Sequence, residues 1–302
     1  MDIYFNGRMV PPAEAKIPVD DAGFQHAVGL FETMAAVHGR VFRMPQHLAR
    51  LAQSARELGL AKEIDTQALA AAVQQTIDHN HIDRARIRLT LTAGSMSLLR
   101  SGGESQNPAA PLPTLVITPT EPTQYDPAYF ERGIMVLIAP AGANPFDALA
   151  GHKTLSYWGR LRTLRQAAAL GAGEAIWLNV TNHLASGAVS NLFIVKDGEL
   201  FTPIARGEEP DGGLPAPVLP GVTRATVLEL AHRSGIKCHK QMLTVDDLLG
   251  ADEVFLTNSS WQVLPVSKVE RQAIGEGSVG EVTTALREGV LELIEKECPG
   301  SV

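Results

Sequence analysis

The sequence predicts an α+β chain of two domains. Patterns of short strands joined by tight turns occur in both halves, helix patterns lie between them, and a proline-rich segment separates the halves. That segment, Pro119–Pro127, is assigned as a linker because prolines disfavour helix and remove backbone donors. The first domain is therefore assigned to residues 1–118 and the second to residues 128–302. With 302 residues, the chain is long enough for two cores.

The first domain is predicted to open with a hairpin and then to combine strands with helices. Asn6-Gly7 suits the positive φ angles of a two-residue hairpin turn. Leu48, Leu51 and Ala55 recur at helical spacing, whereas polar and apolar residues alternate along Ala85–Thr92, as in a half-buried strand. In order, the sequence predicts strands within Ile3–Val10, at Leu30–Val37 and at Arg40–Met44, helices at Pro45–Leu58 and Thr66–Asp78, strands at Ala85–Thr92 and Leu115–Thr118, and a Gly/Ser-rich loop at 94–111.

The second domain is predicted to be richer in strands. Asp197-Gly198 marks a hairpin turn, and the Pro- and Gly-rich residues 206–220 indicate an irregular loop. In order, the sequence predicts a strand at Gly133–Ala139, a helix around Leu161–Leu170, strands at Glu174–Asn179, Ala188–Val195 and Leu200–Phe201, a helix at Thr223–Arg233, a strand at Glu253–Thr257 and a closing helix at Ser278–Glu297.

The composition argues against several kinds of partner. The net charge is −7, from 26 Lys and Arg against 33 Asp and Glu, and no basic run stands out, so no nucleic-acid partner is expected. No apolar run is long enough to cross a bilayer and no basic-then-apolar leader is present, so a cytoplasmic protein without a membrane partner is expected. Cys238 and Cys298 do not make a disulfide framework, and Cys238-His239 lacks a second ligand pair, so no metal site is predicted.

The candidate for chemistry is Lys153, within Gly151–Trp158, between a predicted strand and a predicted helix. A desolvated ammonium loses its proton easily and becomes a nucleophile or a base. A single lysine in such a place is more often a solvated surface residue. Two further blocks downstream, Ala188–Val195 and Pro220–Arg224, strengthen the chemical interpretation of Lys153.

These three blocks, in this order and at these distances, resemble the fold-type IV pyridoxal-phosphate enzymes. That family holds the branched-chain and D-amino-acid aminotransferases and aminodeoxychorismate lyase, and the resemblance runs from about Tyr4 to Val266. It implies a small N-terminal α/β domain, a larger C-terminal pseudo-barrel domain carrying the lysine, pyridoxal 5′-phosphate as the cofactor, and a homodimer.

The resemblance also implies which residues hold the cofactor. Lys153 would form the Schiff base and shuttle a proton between the substrate Cα and the cofactor. The other implied cofactor-binding residues are Arg50, Tyr157, Ser186, Ser190, Asn191, Val222, Thr223, Ser259 and Ser260. From the residues alone, alternatives stay open: Arg50 as a solvated arginine, Gly221–Thr223 as a simple helix cap, Tyr157 as an ordinary half-buried tyrosine, and His47 as a structural residue at the start of a helix.

Position 186 departs from the family pattern. The family normally has a glutamate five residues before the asparagine that is Asn191 here, and its carboxylate keeps the pyridine nitrogen protonated; this chain has Ser186. A hydroxyl is a poor counter-ion for a pyridinium. Three explanations compete: Glu174 substitutes, the reaction tolerates a weaker electron sink, as in a lyase, or activity is low or lost.

For the substrate, the resemblance points to Phe31 and Arg100. A substrate carboxylate needs a cation or hydroxyl groups, and Arg100 lies in the loop after Gly94; the alternative is an ordinary loop arginine. The predicted function is an aminotransferase that moves an amino group between an aliphatic amino acid, branched-chain-like or D, and a 2-oxo acid. The alternatives are an aminodeoxychorismate-type lyase that releases pyruvate and a low-activity or non-catalytic protein that binds the cofactor.

Overall fold

The computed structural model describes residues 1–95 and 113–300. The chain divides into two compact units: the first comprises Met1–Thr123, Lys153–Ser156 and Glu297–Val302, and the second comprises Gln124–His152 and Tyr157–Lys296. The change from first to second unit after Thr123 falls inside the segment assigned as a linker. The lysine segment groups with the first unit, whereas the sequence analysis placed it in the second domain.

The first unit is an antiparallel sheet with two long helices. Within the described residues its six strands run in the order β2-β1-β6-β5-β3-β4. The strands are β1 Ile3–Phe5, β2 Arg8–Val10, β3 Gly29–Val37, β4 Arg40–Val41, β5 Ala85–Thr92 and β6 Leu115–Thr120; the helices are α1 Ala22–His26, α2 Met44–Glu57 and α3 Thr66–His79, and a 3-10 turn spans Pro12–Glu14. The sequence analysis missed α1, whose N-cap is Asp21.

The core of the first unit lies between one sheet face and the helices α2 and α3. Along β3 and β5 the side chains alternate, so that one set points to the helices and the other to the opposite face. The helix-facing set and its helical partners are buried together: Leu30, Met34, Ile87, Leu89, Leu48, Leu51, Val73 and Ile77. The second set of side chains on β3 and β5, which includes Phe31 and Arg88, is therefore available to build a site.

The second unit is built on a larger sheet. In the part of the chain that the structure describes, its strands run in the order β12-β11-β10-β13-β14-β7-β8-β9, with β15 paired to β14. The strands are β7 Ile134–Ala143, β8 Glu174–Asn179, β9 Leu184–Gly187, β10 Asn191–Lys196, β11 Glu199–Thr202, β12 Cys238–Lys240, β13 Glu253–Asn258, β14 Gln262–Val269 and β15 Gln272–Ala273; the helices are α4 Ala128–Arg132, α5 Trp158–Ala169, α6 Val222–Arg233, α7 Val245–Leu249 and α8 Glu281–Glu297.

Three prolines of the described residues lie inside strands, which the sequence did not predict: Pro119 in β6, Pro140 in β7 and Pro265 in β14. Pro119 extends β6 beyond the predicted end and pairs with Ile87 of β5, although it was assigned to the linker. Pro265 lies in β14, a strand that was missed, and pairs with Phe255. Pro119 and Pro265 each lie where only one neighbouring strand is paired, because β1 pairs with β6 only up to Ile117 and β7 joins β14 only from Val266. Pro140 lies at the irregularity between Ile138 and Gly142 in the pairing of β7 with β8. A missing backbone donor therefore need not break a second ladder.

No helix among the described residues is both long enough and apolar enough to cross a bilayer. The same residues contain no group of three or more His, Cys, Asp or Glu side chains arranged to hold a metal ion.

Candidate active site

The lysine segment is attached to the start of β3. The backbone N–H of Phe31 donates to the Lys153 carbonyl at 3.0 Å, and the N–H of Leu155 donates to the Gly29 carbonyl at 3.0 Å. Leu30 and Thr154 complete an antiparallel bridge between the two segments. These bonds explain why the lysine belongs to the first unit: it continues that unit's sheet for a few residues.

Gly29 allows this close approach. A Cβ at this position would lie 2.7 Å from the Leu155 side chain and 2.7 Å from the Leu91 carbonyl oxygen, so either β5 or the lysine segment would have to shift.

We therefore expect Gly29→Ala to lower the free energy of unfolding by about 1–3 kcal/mol, the usual cost of overpacking, and to reduce cofactor retention. Thermal unfolding and the cofactor content of the purified protein measure the two effects. Gly142→Ala is the matched control, because a Cβ there meets nothing closer than 3.9 Å. Equal behaviour of the two variants would contradict the role given to Gly29.

The ring of Phe31 is in contact with two basic side chains. Lys153 Nζ is 4.4 Å from the centre of the Phe31 ring, and the Arg88 guanidinium carbon is 3.8 Å from it. Phe31 is buried, whereas Lys153 and Arg88 are half-buried. The face of an aromatic ring attracts basic groups, so the Phe31 ring favours both of these positions. The role predicted for Phe31 toward a substrate stays a prediction.

Arg88 is a candidate that the sequence analysis missed. It lies on β5 opposite Thr33 of β3, on the same sheet face as Phe31, and its Nε donates to the Thr90 hydroxyl at 3.3 Å. The alternation of polar and apolar residues along β5 did place Arg88 away from the core, and that was the available signal. The alternation could not show that Phe31, on the neighbouring strand, contacts Arg88.

Behind Phe31, a buried carboxylate joins α2 to β3. Arg50 donates to Glu32 with both Nε (2.9 Å, to Oε1) and Nη2 (2.6 Å, to Oε2), a two-pronged geometry. His47 Nδ1 is 2.8 Å from Glu32 Oε2. Glu32 is 0% and His47 1% exposed, so this cluster is shielded from water. His47 and Arg50 are three residues apart on α2 and face the same way, as helical geometry requires.

The protonation states in this cluster follow from burial and charge. Burial by itself raises the pKa of Glu32, but the Arg50 charge and the His47 hydrogen bond outweigh it and lower the pKa to about 2. Burial lowers the pKa of His47, and the nearby charges of Arg50 and Lys153 act in the same direction against the pull of Glu32. Glu32 is therefore an anion, and we assign a neutral His47 that donates from Nδ1. The structural role expected for His47 fits this arrangement.

In the second unit, Glu174 organises the Ser190 block. Its Oε1 accepts from the N–H groups of Ala175 (2.9 Å) and Ala188 (3.2 Å), and its Oε2 accepts from the Val189 N–H (3.1 Å) and the Ser190 hydroxyl (3.0 Å). Burial raises the pKa of Glu174, and these hydrogen bonds offset part of that increase. Four donors occupy the four acceptor positions of the carboxylate. Glu174 thus holds the backbone of this block in place.

The Ser190-Asn191 block, the turn at Ser259-Ser260 and the start of α6 are joined by two asparagines. Asn191 Nδ2 donates to the Leu219 carbonyl at 2.8 Å, just before α6. Asn258 Nδ2 donates to the Val189 carbonyl at 3.3 Å, and Asn258 Oδ1 accepts from the Ser260 N–H at 2.8 Å. Residues of the three predicted cofactor-binding segments are therefore brought together within this unit: Ser190, Asn191, Val222, Thr223, Ser259 and Ser260.

The start of α6 suits an anion. The N-cap is Gly221, which has no side chain to cap the first turn, and Val222 and Thr223 at that turn are buried. The first backbone N–H groups of a helix attract negative charge and bind phosphate readily. Hydroxyl groups of Ser259 and Ser260 belong to the turn that Asn258 ties to the same region. This donor set fits the phosphate of a pyridoxal-type cofactor.

Ser186 is buried and faces an arginine. Arg160 Nη1 donates to the Ser186 hydroxyl at 3.2 Å, to the Gly187 carbonyl at 3.1 Å and to the Ala188 carbonyl at 3.2 Å. The Arg160 guanidinium lies 5.0 Å from the centre of the Trp177 ring. Sequence reasoning missed Arg160, and no local signal marked it, because it is one of three arginines within eight residues of α5.

Two predicted site residues, Tyr157 and Arg100, remain. Tyr157 is half-buried and immediately precedes α5, as its N-cap. Arg100 lies outside the described residues, so its proposed role toward a substrate carboxylate stays a prediction.

Comparison with known proteins identifies the family. The chain matches the family model of amino-transferase class IV over residues 29–269. A provisionally named branched-chain-amino-acid aminotransferase of Methanocaldococcus jannaschii is 31% identical over 289 residues, which cover 95% of this chain and 94% of that protein. D-alanine aminotransferase of Bacillus licheniformis is 27% identical and covers 96% of this chain and 98% of its own length.

Solved structures agree with the sequence comparison. The branched-chain amino acid aminotransferase of Escherichia coli superposes with a TM-score of 0.86 at 28% identity, covering 97% of this chain and 94% of that one. Another enzyme of the same name, solved with pyridoxamine 5′-phosphate, gives 0.86 at 26% identity over 99% and 95%. The 4-amino-4-deoxychorismate lyase of Pseudomonas aeruginosa gives 0.81 at 26% identity over 96% and 98%.

The fold and the family match thus define the class of protein: this chain belongs to the class IV aminotransferases, a family of pyridoxal-phosphate enzymes. The prediction of a fold-type IV enzyme is confirmed by these similarities.

Proposed function

We propose that this chain is a pyridoxal-phosphate-dependent aminotransferase that moves an amino group between an aliphatic amino acid, branched-chain-like or D, and a 2-oxo acid. The observation that carries the proposal is the position of Lys153 over Phe31, on a segment bonded to β3, in a member of the class IV family. The relatives act on branched-chain amino acids or on D-alanine by their names, and they supply the substrate class.

The cofactor supplies an aldehyde that condenses with amines and a ring that withdraws electrons from the bond next to the substrate nitrogen. Lys153 Nζ is proposed to hold the cofactor and to take and return the proton of the substrate Cα. The Phe31 ring, whose centre is 4.4 Å from Nζ, is proposed to limit the movement of that amine. Residues at the α6 start and the Ser259-Ser260 turn, with Arg50, are proposed to bind the phosphate.

Glu32 gives Arg50 a fixed orientation for this task. Two of the three guanidinium nitrogens donate to the carboxylate, so the plane of the fork cannot rotate. Because Glu32 is anionic, it also neutralises the positive charge of Arg50 at a position where little water is available to solvate that charge. An arginine held in this way loses little conformational freedom when it binds an anion, which favours affinity.

Arg88 is proposed to bind the substrate carboxylate. Arg88 and Lys153 both contact the Phe31 ring. The cation proposed for the substrate carboxylate and the amine proposed for the Cα proton therefore lie near the same ring. We expect Arg88→Gln to raise the KM for the amino acid about 10- to 100-fold, from the loss of a charge-assisted hydrogen bond. Steady-state kinetics measure this. Arg86→Gln, at an exposed position on the same strand, should leave KM unchanged; a similar rise in both would contradict the assignment.

An aminodeoxychorismate-type lyase is the second candidate. The serine at position 186, in place of the family's glutamate, favours it, and so does the similarity to the Pseudomonas aeruginosa lyase. A cofactor-binding protein of low activity is the third candidate and rests on the same serine.

One experiment separates these candidates. The purified protein is reduced with borohydride, which fixes a lysine-linked cofactor, and a digest is searched by mass spectrometry for cofactor on the Lys153 peptide. A panel of L- and D-amino acids is then tested with and without a 2-oxo acid. Acceptor-dependent turnover is expected. Pyruvate release from aminodeoxychorismate without an acceptor would favour the lyase, cofactor without turnover the third candidate, and no cofactor on Lys153 would end the proposal.

We also expect a homodimer. In the second unit, Trp158 is 78% exposed and Leu161 47% exposed, one turn apart on α5, and we propose that a second copy of the chain covers this apolar surface. Light scattering should give about twice the chain mass of 32.3 kDa. A monomeric mass at micromolar concentration would contradict this expectation.

A further inference from the structure

We propose that Ser186 and Arg160 keep the pyridine nitrogen of the bound cofactor unprotonated. The inference rests on the proposed function, and specifically on the correspondence of residue 186 with the family's glutamate. It concerns which proton state of the ring this chain's own residues stabilise.

The first observation is the direction of the hydrogen bond at Ser186. Arg160 Nη1 donates to the Ser186 hydroxyl oxygen, so that oxygen already acts as an acceptor. The hydroxyl hydrogen is then the group that Ser186 can offer to a further partner. A neutral pyridine nitrogen has a lone pair and accepts such a hydrogen. A protonated one would have to donate to the remaining lone pair of this uncharged oxygen, which stabilises it less than a carboxylate would.

The second observation is the charge of Arg160. It is held at this place by three acceptors and by the Trp177 ring. In the described part of the chain, no carboxylate forms an ion pair or a hydrogen bond with Arg160. A group bonded to the Ser186 oxygen lies within about 6 Å of the Arg160 nitrogen, the sum of the 3.2 Å bond and a second bond of ordinary length. A like charge at that distance disfavours the protonated form.

The third observation removes the candidate substitute carboxylate. Glu174 directs both oxygens to three backbone N–H groups and the Ser190 hydroxyl, and it is 0% exposed. With all four acceptor positions taken, it cannot accept from a pyridinium without breaking one of these bonds. The explanation that Glu174 replaces the missing glutamate is therefore disfavoured by its hydrogen bonds.

The test is 15N NMR of the protein reconstituted with pyridoxal phosphate labelled at the ring nitrogen. We expect the wild type to show the resonance position of a neutral pyridine. The double variant S186E/R160Q restores a carboxylate and removes the cation, and its resonance should move to the position of a pyridinium. R162Q, at an exposed arginine of the same helix, should match the wild type.

The outcomes separate the two proposals. A protein that retains the cofactor on Lys153 but shows a pyridinium resonance in the wild type overturns this inference and leaves the proposed function intact. A protein that holds no cofactor overturns both. The wild-type spectrum decides by itself, so the inference stays testable even where the double variant does not fold.

Discussion

Replacing Lys153 by alanine is expected to lower turnover about 10²- to 10⁴-fold, the range for loss of a positioned general base. This loss corresponds to an activation barrier that is higher by roughly 3–5 kcal/mol. The variant lacks both the amine proposed to hold the cofactor and the group proposed to move the Cα proton. The phosphate-binding segments of the second unit are unchanged, so the cofactor should still bind, but without a covalent link. Borohydride treatment should then leave no cofactor on the protein.

Lys62→Ala is the control for this prediction, because Lys62 is exposed in a loop after α2. It should keep wild-type turnover and the wild-type adduct on Lys153. Wild-type turnover in Lys153→Ala, or an adduct of equal yield on another lysine, would show that the chemistry belongs elsewhere.

Replacing Glu32 by glutamine is expected to lower the free energy of unfolding at pH 7 by about 3 kcal/mol. Burial by itself raises the pKa of this carboxyl, but Arg50 and His47 lower it from 4.5 to about 2 in the folded protein, which favours the anion by roughly 3 kcal/mol. The variant also leaves the shielded charge of Arg50 without its counter-ion, which is costly in a protected place. Because Arg50 loses its fixed orientation, cofactor affinity should fall as well. Urea unfolding and cofactor titration measure the two effects.

The pH dependence of this difference has a definite sign. A carboxyl whose folded pKa is depressed contributes stability above its unfolded pKa and loses it as pH falls toward its folded pKa. The contribution of Glu32 is thus fully present above about pH 4.5 and is lost between about pH 4.5 and 2. The stability gap between wild type and Glu32→Gln should be widest near pH 7 and narrow as the pH is lowered through this window.

Glu63→Gln, at an exposed glutamate after α2, is the matched control and should show no such gap. A Glu32→Gln variant as stable as the wild type at pH 7, or a gap that does not change with pH, would contradict the charge state assigned to Glu32.

The sequence by itself determined many of the local elements and pointed to Lys153 as the residue proposed to carry the chemistry. Helix α2 follows from the spacing of Leu48, Leu51 and Ala55, and strand β5 follows from its alternation, because these periods depend only on neighbours along the chain. The motif blocks around Lys153 and Asn191 identified the family, which the comparisons confirm. Short or proline-containing strands such as β14 were missed. Hydrogen bonds to neighbouring strands stabilise them, and their own residue pattern does not predict those bonds.

Only the tertiary structure decided which side chains meet. Lys153 joins β3 beside Phe31, far from it in the chain, through backbone hydrogen bonds that no periodicity encodes. Arg160 reaches Ser186 across 26 residues, and Glu32 pairs with Arg50 between a strand and a helix. These contacts set the charge state of the site because desolvation and Coulomb interaction depend on distance in space. The sequence names the groups that can ionise, and the fold fixes which of them face each other.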